Sequence, residues 1–502
     1  MKFARRILRP RGLVLSLALF GLLGPLSCRP QLQETRSGSG GQGGGGGGSG
    51  GNSASGGSTA SGGTTASGGT TASGGATETG GSGGNGGESS VPDAAPDVVD
   101  TAPPPSRGPT PATPGHNFPF PQNRENSRCI YPNLYRNEEV QAAYDKWKND
   151  TVTSDGAKGF RRVKRPNEPG LEPNSTVSEG IAYGMMLAVY MDDQALFDDL
   201  WKYEQANLDG MTYLMNWYIK ADGSGVGDNP SGAGPATDAD EDMAFALIMA
   251  DKQWGGKGSS TRTYIDWAQE TIGKIWAHEI NSGKYLLPWP ADGVPAINLS
   301  YFAPAYYKLF AKVDPNNANG WKTVTDTMYD VLAKSLNGGS GNANNGLVPA
   351  WCDGDGNPKG DAFGSTGGPS PTNYQYDSCR MPFRIGLDYC WFGDTRAKDY
   401  VSKTSSFFGA IGASNIVDGY ELNGTPKPQY QTGDKALIQS AAFVGPAGVG
   451  AMFSPTYQTF LDDAYGVLVK GDAIVGGTYY DESWAVLSLL MMTANFLDLT
   501  AY

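Results

Sequence analysis

The sequence offers carboxyl groups, and little else, for acid–base chemistry. Its only histidines are His116 and His278, and neither has a partner nearby in sequence, which argues against histidine metal sites and Ser-His-Asp triads. Glu179, Asp238 and Asp377 each stand at or just before the start of an apolar, Ala/Gly/Met-rich run. Tyr301 and the cluster Tyr479-Tyr480-Asp481-Glu482 stand at two more. A protonated carboxyl can give its proton to a leaving oxygen while an ionised one activates water, and aromatic faces stack on the apolar faces of sugar rings. Acids and aromatics gathered in a cleft are therefore the equipment for breaking a glycosidic bond. The plain alternative for each acid alone is a helix start placed to favour the macrodipole. Asp238-Ala239-Asp240-Glu241-Asp242 also reads as a solvated acidic helix start or a calcium site. Asp353-Gly354-Asp355-Gly356-Asn357 hints at calcium, but Pro358 stands where a glycine is required and no glutamate closes the loop. No metal site is expected. No cofactor is expected either, because the chain has neither GxGxxG after a strand nor a phosphate loop.

Helical periodicity broken by Gly, Pro and Asn begins at Asn137. It predicts about twelve helices, starting near Glu138, Ser178, Asp193, Asp238, Thr261, Ser300, Gly320, Arg380, Thr395, Asp434, Thr456 and Asp481. N-caps are read at Ser178, before Glu179, and at Ser300, before the Tyr301 turn. The helices after Ser178, Asp238, Ser300, Arg380, Asp434 and Asp481 have the composition of closely packed buried helices. The intervening ones carry charge on one face, as in Gln194 to Asn207 and Asp394 to Ser406. This alternation predicts an all-α fold of two concentric layers, with the acid-bearing ends of the inner helices converging on one mouth. Strand signal is confined to a hairpin from Tyr213 to Val226, turning at Asp222-Gly223.

The rest of the chain reads as export and reach. Arg5, Arg6, Arg9 and Arg11 precede the apolar run Leu13 to Leu23, too short for a comfortable membrane span. Leu26-Ser27-Cys28 resembles a bacterial lipoprotein cleavage site, so residues 1–28 are read as a signal peptide with Cys28 as a lipid-anchor candidate. Residues 29–114 are low-complexity: Gly/Ser/Thr-rich with a Thr-Ala-Ser-Gly-Gly repeat, then Pro-rich and acidic. They are expected to be a disordered tether. Residues 115–502 are left as one catalytic domain, taken as a monomer, secreted or held at the cell surface. The balance of 38 Lys plus Arg against 51 Asp plus Glu argues against nucleic acid as a partner and fits a neutral polymer. Cys129, Cys352, Cys379 and Cys390 permit three full pairings in an oxidising compartment.

The string from Ala236 to Ala250, closing with Trp254, resembles the signature of glycoside hydrolase family 8. Ser178-Glu179-Gly180 with Tyr183-Gly184-Met185, Ser300-Tyr301-Phe302 with Pro304, and Tyr376-Asp377-Ser378-Cys379-Arg380 with Pro382 and Arg384 match the same family in the same order. The resemblance covers most of residues 125 to 500 and implies an (α/α)6 barrel that inverts configuration in one displacement. Position by position, it makes Glu179 the general acid, Asp377 the general base, Tyr301 a holder of the attacking water and Asp238 the carboxylate that binds and distorts the sugar. Arg380, Tyr376, Tyr183, Trp217, Trp289, Tyr479 and Tyr480 are expected to bind substrate. Arg380, a helical turn beyond Asp377, is expected to keep that base ionised. Glu179 needs a raised pKa, from burial or from the charge of Asp238. Inversion needs the two catalytic carboxyls roughly 6.5–9.5 Å apart. Cys379 is expected to pair with Cys352 or Cys390 and fix the catalytic loop.

Family members act on cellulose, mixed-linkage glucan, xylan, xylo-oligosaccharides or chitosan. Thr237-Asp238-Ala239-Asp240 resembles the glucanase form rather than the xylan-active one, and Asp377 is present where a chitosanase branch lacks it. The reading is therefore an endo-acting enzyme on β-1,4-linked glucan, with xylanase or chitosanase as the alternative. Exo action would need a loop across one end of the cleft, for which Gly338 to Asp361 is the candidate. A non-catalytic carbohydrate-binding protein is disfavoured by the complete set Glu179, Asp238, Tyr301 and Asp377.

Overall fold

The computed structural model describes residues 108–167, 172–225, 232–294, 296–359, 372–428, 439–474 and 477–502. The signal peptide and nearly all of the tether lie outside the described residues. Among the described residues twelve α-helices are formed: α1 (Asn137–Thr151), α2 (Ser178–Tyr190), α3 (Gln194–Gln205), α4 (Thr237–Gln253), α5 (Tyr264–His278), α6 (Pro304–Val313), α7 (Ala318–Ser335), α8 (Met381–Phe392), α9 (Thr395–Ile411), α10 (Ala441–Ala451), α11 (Gln458–Lys470) and α12 (Thr478–Met492). The expected starts hold to within a few residues, except that Asp434 lies outside the described residues and α10 begins at Ala441.

The even-numbered helices close a ring. Each packs on the next even-numbered one and α12 returns to α2, while α1, α3, α5, α7, α9 and α11 pack outside on α12, α2, α4, α6, α8 and α10. This is the (α/α)6 barrel, and burial explains the sorting. Every residue of α2 and α10 is buried. In α9 the buried residues are Ala397, Tyr400, Val401, Thr404, Ser405 and Phe408, a single stripe at helical spacing. The glycines of α10 permit its close approach to α12: a Cβ at Gly445 would lie 2.4 Å from Ser488 Oγ, and one at Gly448 2.4 Å from Met492 Cε.

Residues 108–136 cross the C-terminal ends of the inner helices and satisfy carbonyls that a helix end leaves without partners. Gln122 Nε2 donates to Tyr190 O at 2.8 Å. The backbone N–H groups of Asn117, Arg124 and Ile130 reach Gln253, Ala494 and Met452 at 2.8, 2.9 and 2.8 Å. These contacts begin ahead of the expected boundary at residue 115, since Gly108 O accepts from Asn123 Nδ2 and Thr110 N donates to Pro121 O.

Three local expectations are corrected. Cys129 pairs with Cys390, joining this strap to the end of α8, while Cys352 and Cys379 are buried free thiols; the catalytic loop is not fixed by a disulfide. Neither Ser178 nor Ser300 caps a helix. Ser178 is already helical behind Val177, and Asn298 accepts from Ser300 N at the short 3-10 turn. Strand pairing is not confined to the expected hairpin: its Asp222-Gly223 turn forms, with Lys220 N bonded to Ser224 O, and its end at Val226 lies outside the described residues, but Tyr218–Ile219 pairs antiparallel with Thr176–Val177. That pairing fixes the chain entering α2 to the chain carrying Trp217. No described helix is long and apolar enough to cross a membrane.

Candidate active site

The site is assembled from the N-terminal ends of the inner helices, where the positive ends of the helix dipoles favour carboxylates. Glu179, in the first turn of α2, is 4% exposed. Its Oε1 accepts from Tyr183 Oη at 2.8 Å and from Arg380 Nη1 at 2.6 Å, and its Oε2 accepts from Tyr479 Oη at 2.7 Å. The same Arg380 nitrogen reaches Asp238 Oδ2 at 2.6 Å, and Arg380 Nε donates to Ser300 Oγ at 3.0 Å. One buried guanidinium thus ties α2, α4 and the turn before α6 to the start of α8. Burial pushes the Glu179 carboxyl up to about 7. Arg380 opposes that rise, Asp238 adds to it, and the two tyrosine hydroxyls pull down. Burial works against the charge of Arg380, but Tyr480, Tyr183, Asp238 and Glu179 around it hold it firmly protonated.

Asp377 lies in the turn before α8 and keeps more access to solvent, at 9%. Its Oδ2 accepts from Trp351 Nε1 at 3.1 Å and Gln375 Nε2 at 3.3 Å, while its own N–H donates to Gln375 Oε1 at 2.9 Å. The Trp351 ring meets Tyr301 edge-on at 6.2 Å, and Tyr301 lies under the Arg380 guanidinium at 5.0 Å. Aromatic contacts thereby link the acid side of the site to the base side. The Arg380 guanidinium, expected beside Asp377, spends its hydrogen bonds on Glu179, Asp238, Tyr183 and Ser300. The helical spacing rule needs both residues in one helix, and Asp377 sits in a turn stapled by Gln375 and Ser378 while α8 starts only at Met381.

The expected sugar-binding residues divide. Tyr183 is fully enclosed and Tyr479 is 5% exposed. Both spend their hydroxyls on Glu179, so Tyr183 supports the acid and offers no stacking face. Tyr480 donates to Tyr376 O at 3.0 Å, and Tyr376 reaches Asp418 Oδ2 at 3.2 Å. The Trp217 carbonyl accepts from Ser178 N at 2.9 Å, beside the acid, while its buried Nε1 has no partner among the described residues. Trp289 is half-buried at 6.0 Å from Trp351. Trp351, Gln375 and Ser300 were not among the expected site residues. Adjacency to Asp377 and to Tyr301 was a signal for the last two, whereas nothing local marks Trp351.

The acidic run at the start of α4 is neither solvated nor a cation loop. Asp242 holds Arg384 at 2.9 and 3.0 Å, and Glu241 accepts from Tyr307 Oη at 2.7 Å. Asp353 is occupied by the N–H groups of Asp355 and Asn357, each at 2.9 Å. Asp240 faces other acids: burial, then the charges of Glu279 and Glu204, raises its pKa well above the ordinary value. Burial likewise pushes Glu204 and Glu279 up to about 8. Groups protonated in the fold but ionised in the unfolded chain stabilise fully below the unfolded pKa, and that contribution is lost as pH rises through the folded one. The melting temperature is therefore expected to fall between pH 5 and 8. Thermal denaturation of Glu279→Gln across that range should show a flatter dependence; an equally steep one counts against the assignment.

Fold and site define a class, a helical (α/α)6 barrel with carboxyl groups gathered around a buried arginine at the inner-helix N-termini. The family model for glycosyl hydrolases family 8 matches residues 118–494, and the chain belongs to that family. It is 36% identical over 394 residues to Endoglucanase 2 of Ruminiclostridium josui, covering 77% of this chain and 78% of that one. It is 37% identical over 365 residues to Endoglucanase A of Acetivibrio thermocellus, covering 71% and 69%. Among solved structures it resembles the β-1,3-1,4-glucanase of Paenibacillus sp. X4, with a TM-score of 0.66 at 29% identity over 77% of this chain and 100% of that one.

Proposed function

We propose that the protein is an inverting endoglucanase acting on β-1,4-linked glucan, with Glu179 as general acid and Asp377 as general base. The observation that carries this reading is the state of Glu179, a buried carboxyl raised to about 7 and fixed by three donors. Such a group is protonated near neutrality and oriented to give its proton to the glycosidic oxygen as the C1–O bond breaks. Water attacks C1 from the opposite face and passes its proton to Asp377. Tyr301 holds that water, and Asp238, anchored by Arg380, binds the sugar at the point of cleavage. Names of relatives above 30% identity support glucan over xylan.

Purified protein is expected to release reducing sugar from carboxymethylcellulose and mixed-linkage glucan, with little from xylan or chitosan. Proton NMR of the first product should show the α-anomer. Asp377→Asn should lower the rate by about 10²–10⁴-fold. Activity on xylan alone overturns the substrate, and a β-anomeric first product overturns the mechanism. Export with a lipid on Cys28 belongs to the same proposal, supported by the basic-then-apolar head ending in Leu26-Ser27-Cys28. Palmitate labelling lost in Cys28→Ser is the expected result, and labelling absent from the parent chain sinks it.

A further inference from the structure

A pocket of about 420 Å³ lies between the loop after α7, the last turns of α9 and the turn at Asn423. That volume is in the usual range for small-ligand sites. Its walls come from Gly338, Gly341, Asn344, Asn345, Phe407 and Asn423, with Ala343 and Ser406 beside them. None of these is charged, in a chain of net charge −13.

The walls are held before any ligand arrives. Buried Asn342 accepts from Asn337 N at 2.9 Å and donates to Ser335 O and Leu347 O, each at 2.8 Å. Asn345 Nδ2 ties the loop to Leu422 O at 2.8 Å. Phe407 is half-buried and meets Phe408 and Tyr420 edge-on at 5.1 and 5.4 Å, which fixes its ring. A Cβ at Gly424 would stand 2.8 Å from that ring. By contrast, the Asn344 amide and the Ser406 hydroxyl are exposed and engage nothing among the described residues.

A held loop that presents an uncommitted amide and hydroxyl beside one fixed aromatic ring, with no charge, suits a neutral polyol. An anion or cation would find no counter-charge there. The loop also runs on through Trp351, whose indole bonds Asp377. We infer that this pocket is a second, non-catalytic binding site for a neutral β-glucan chain, resting on the reading of the enzyme as a glucanase. Its use would be to keep a long polymer on the enzyme between cuts.

The test is native gel electrophoresis of the full chain through mixed-linkage β-glucan, with Glu179→Gln as parent so that the polymer is not cut. Adding Phe407→Ala, or Ser406→Arg at the exposed wall, should weaken retardation threefold or more. In the otherwise wild-type enzyme the same changes should leave kcat/KM on a short cello-oligosaccharide within twofold. Ser406→Arg covers the case in which Phe407→Ala disturbs packing. Unchanged retardation in both variants overturns the inference, as does a parent that the polymer does not slow. Glucan hydrolysis by the wild type reads the catalytic proposal separately: active enzyme with unaltered retardation refutes only the second site.

Discussion

Glu179→Gln is expected to cut kcat on β-glucan by about 10³-fold, or about 4 kcal/mol of transition-state stabilisation, with the fold intact. The surroundings tolerate the amide. Its carbonyl oxygen can keep the bonds from Arg380 and Tyr183, and its NH₂ can face Tyr479, whose hydroxyl turns from donor to acceptor. A carboxyl raised to about 7 is already mostly neutral in weakly acidic solution, so glutamine mimics the resting state and KM should change little. What is lost is the proton. A substrate with a good leaving group, such as a dinitrophenyl β-cellobioside, needs no protonation and should recover most of the rate.

The same carboxyl sets the pH dependence. Activity requires the protonated form, so kcat/KM of the wild type should fall above about pH 7. With the dinitrophenyl substrate the alkaline fall should largely vanish. A loss under tenfold in Glu179→Gln, or an alkaline fall unaffected by leaving group, would show that another residue delivers the proton.

The layered barrel was legible in the sequence because it rests on composition over whole helices. α2, α10 and α12 have no charged outer face, while α9 and α3 do, and that difference survives without knowledge of any contact. The carboxyls were legible because helix starts converge wherever inner helices run parallel. Partners at those starts were not. None of the six inner helices has its own side-chain cap, and α10 is capped by Asp481 of α12 through Ala442 N. Spacing cannot show such a cap. The arginine's reach was hidden for a related reason: the turn before α8 directs Arg380 across the barrel to Glu179 and Asp238, which stand 201 and 142 residues away in sequence. The disulfide depended on the path of the strap beneath the barrel, which carries no periodic signal.

Replacing Arg380 by methionine isolates what that guanidinium does. Methionine keeps much of the buried volume but leaves two carboxyls, 4% and 1% exposed, without their cation. Breaking a buried pair from one side costs about 3–5 kcal/mol, because the remaining charge is desolvated and unpaired. Chemical denaturation should show a loss of that order near pH 7, shrinking as pH falls and Glu179 takes up its proton. Catalysis should fall about 100-fold or more as Glu179 and Asp238 lose their common anchor. The direction of the pH shift is the sharper readout. Arg380 is the main influence holding the Glu179 pKa down against burial, so its removal should move the alkaline fall of the residual activity to higher pH. A merely structural arginine would lower activity without moving that limb. In Arg380→Met/Glu179→Gln one of the stranded charges is gone, so the double variant should be more stable than Arg380→Met alone and the two losses less than additive. If the limb stays in place and the losses add, the arginine supports the barrel but does not tune the acid.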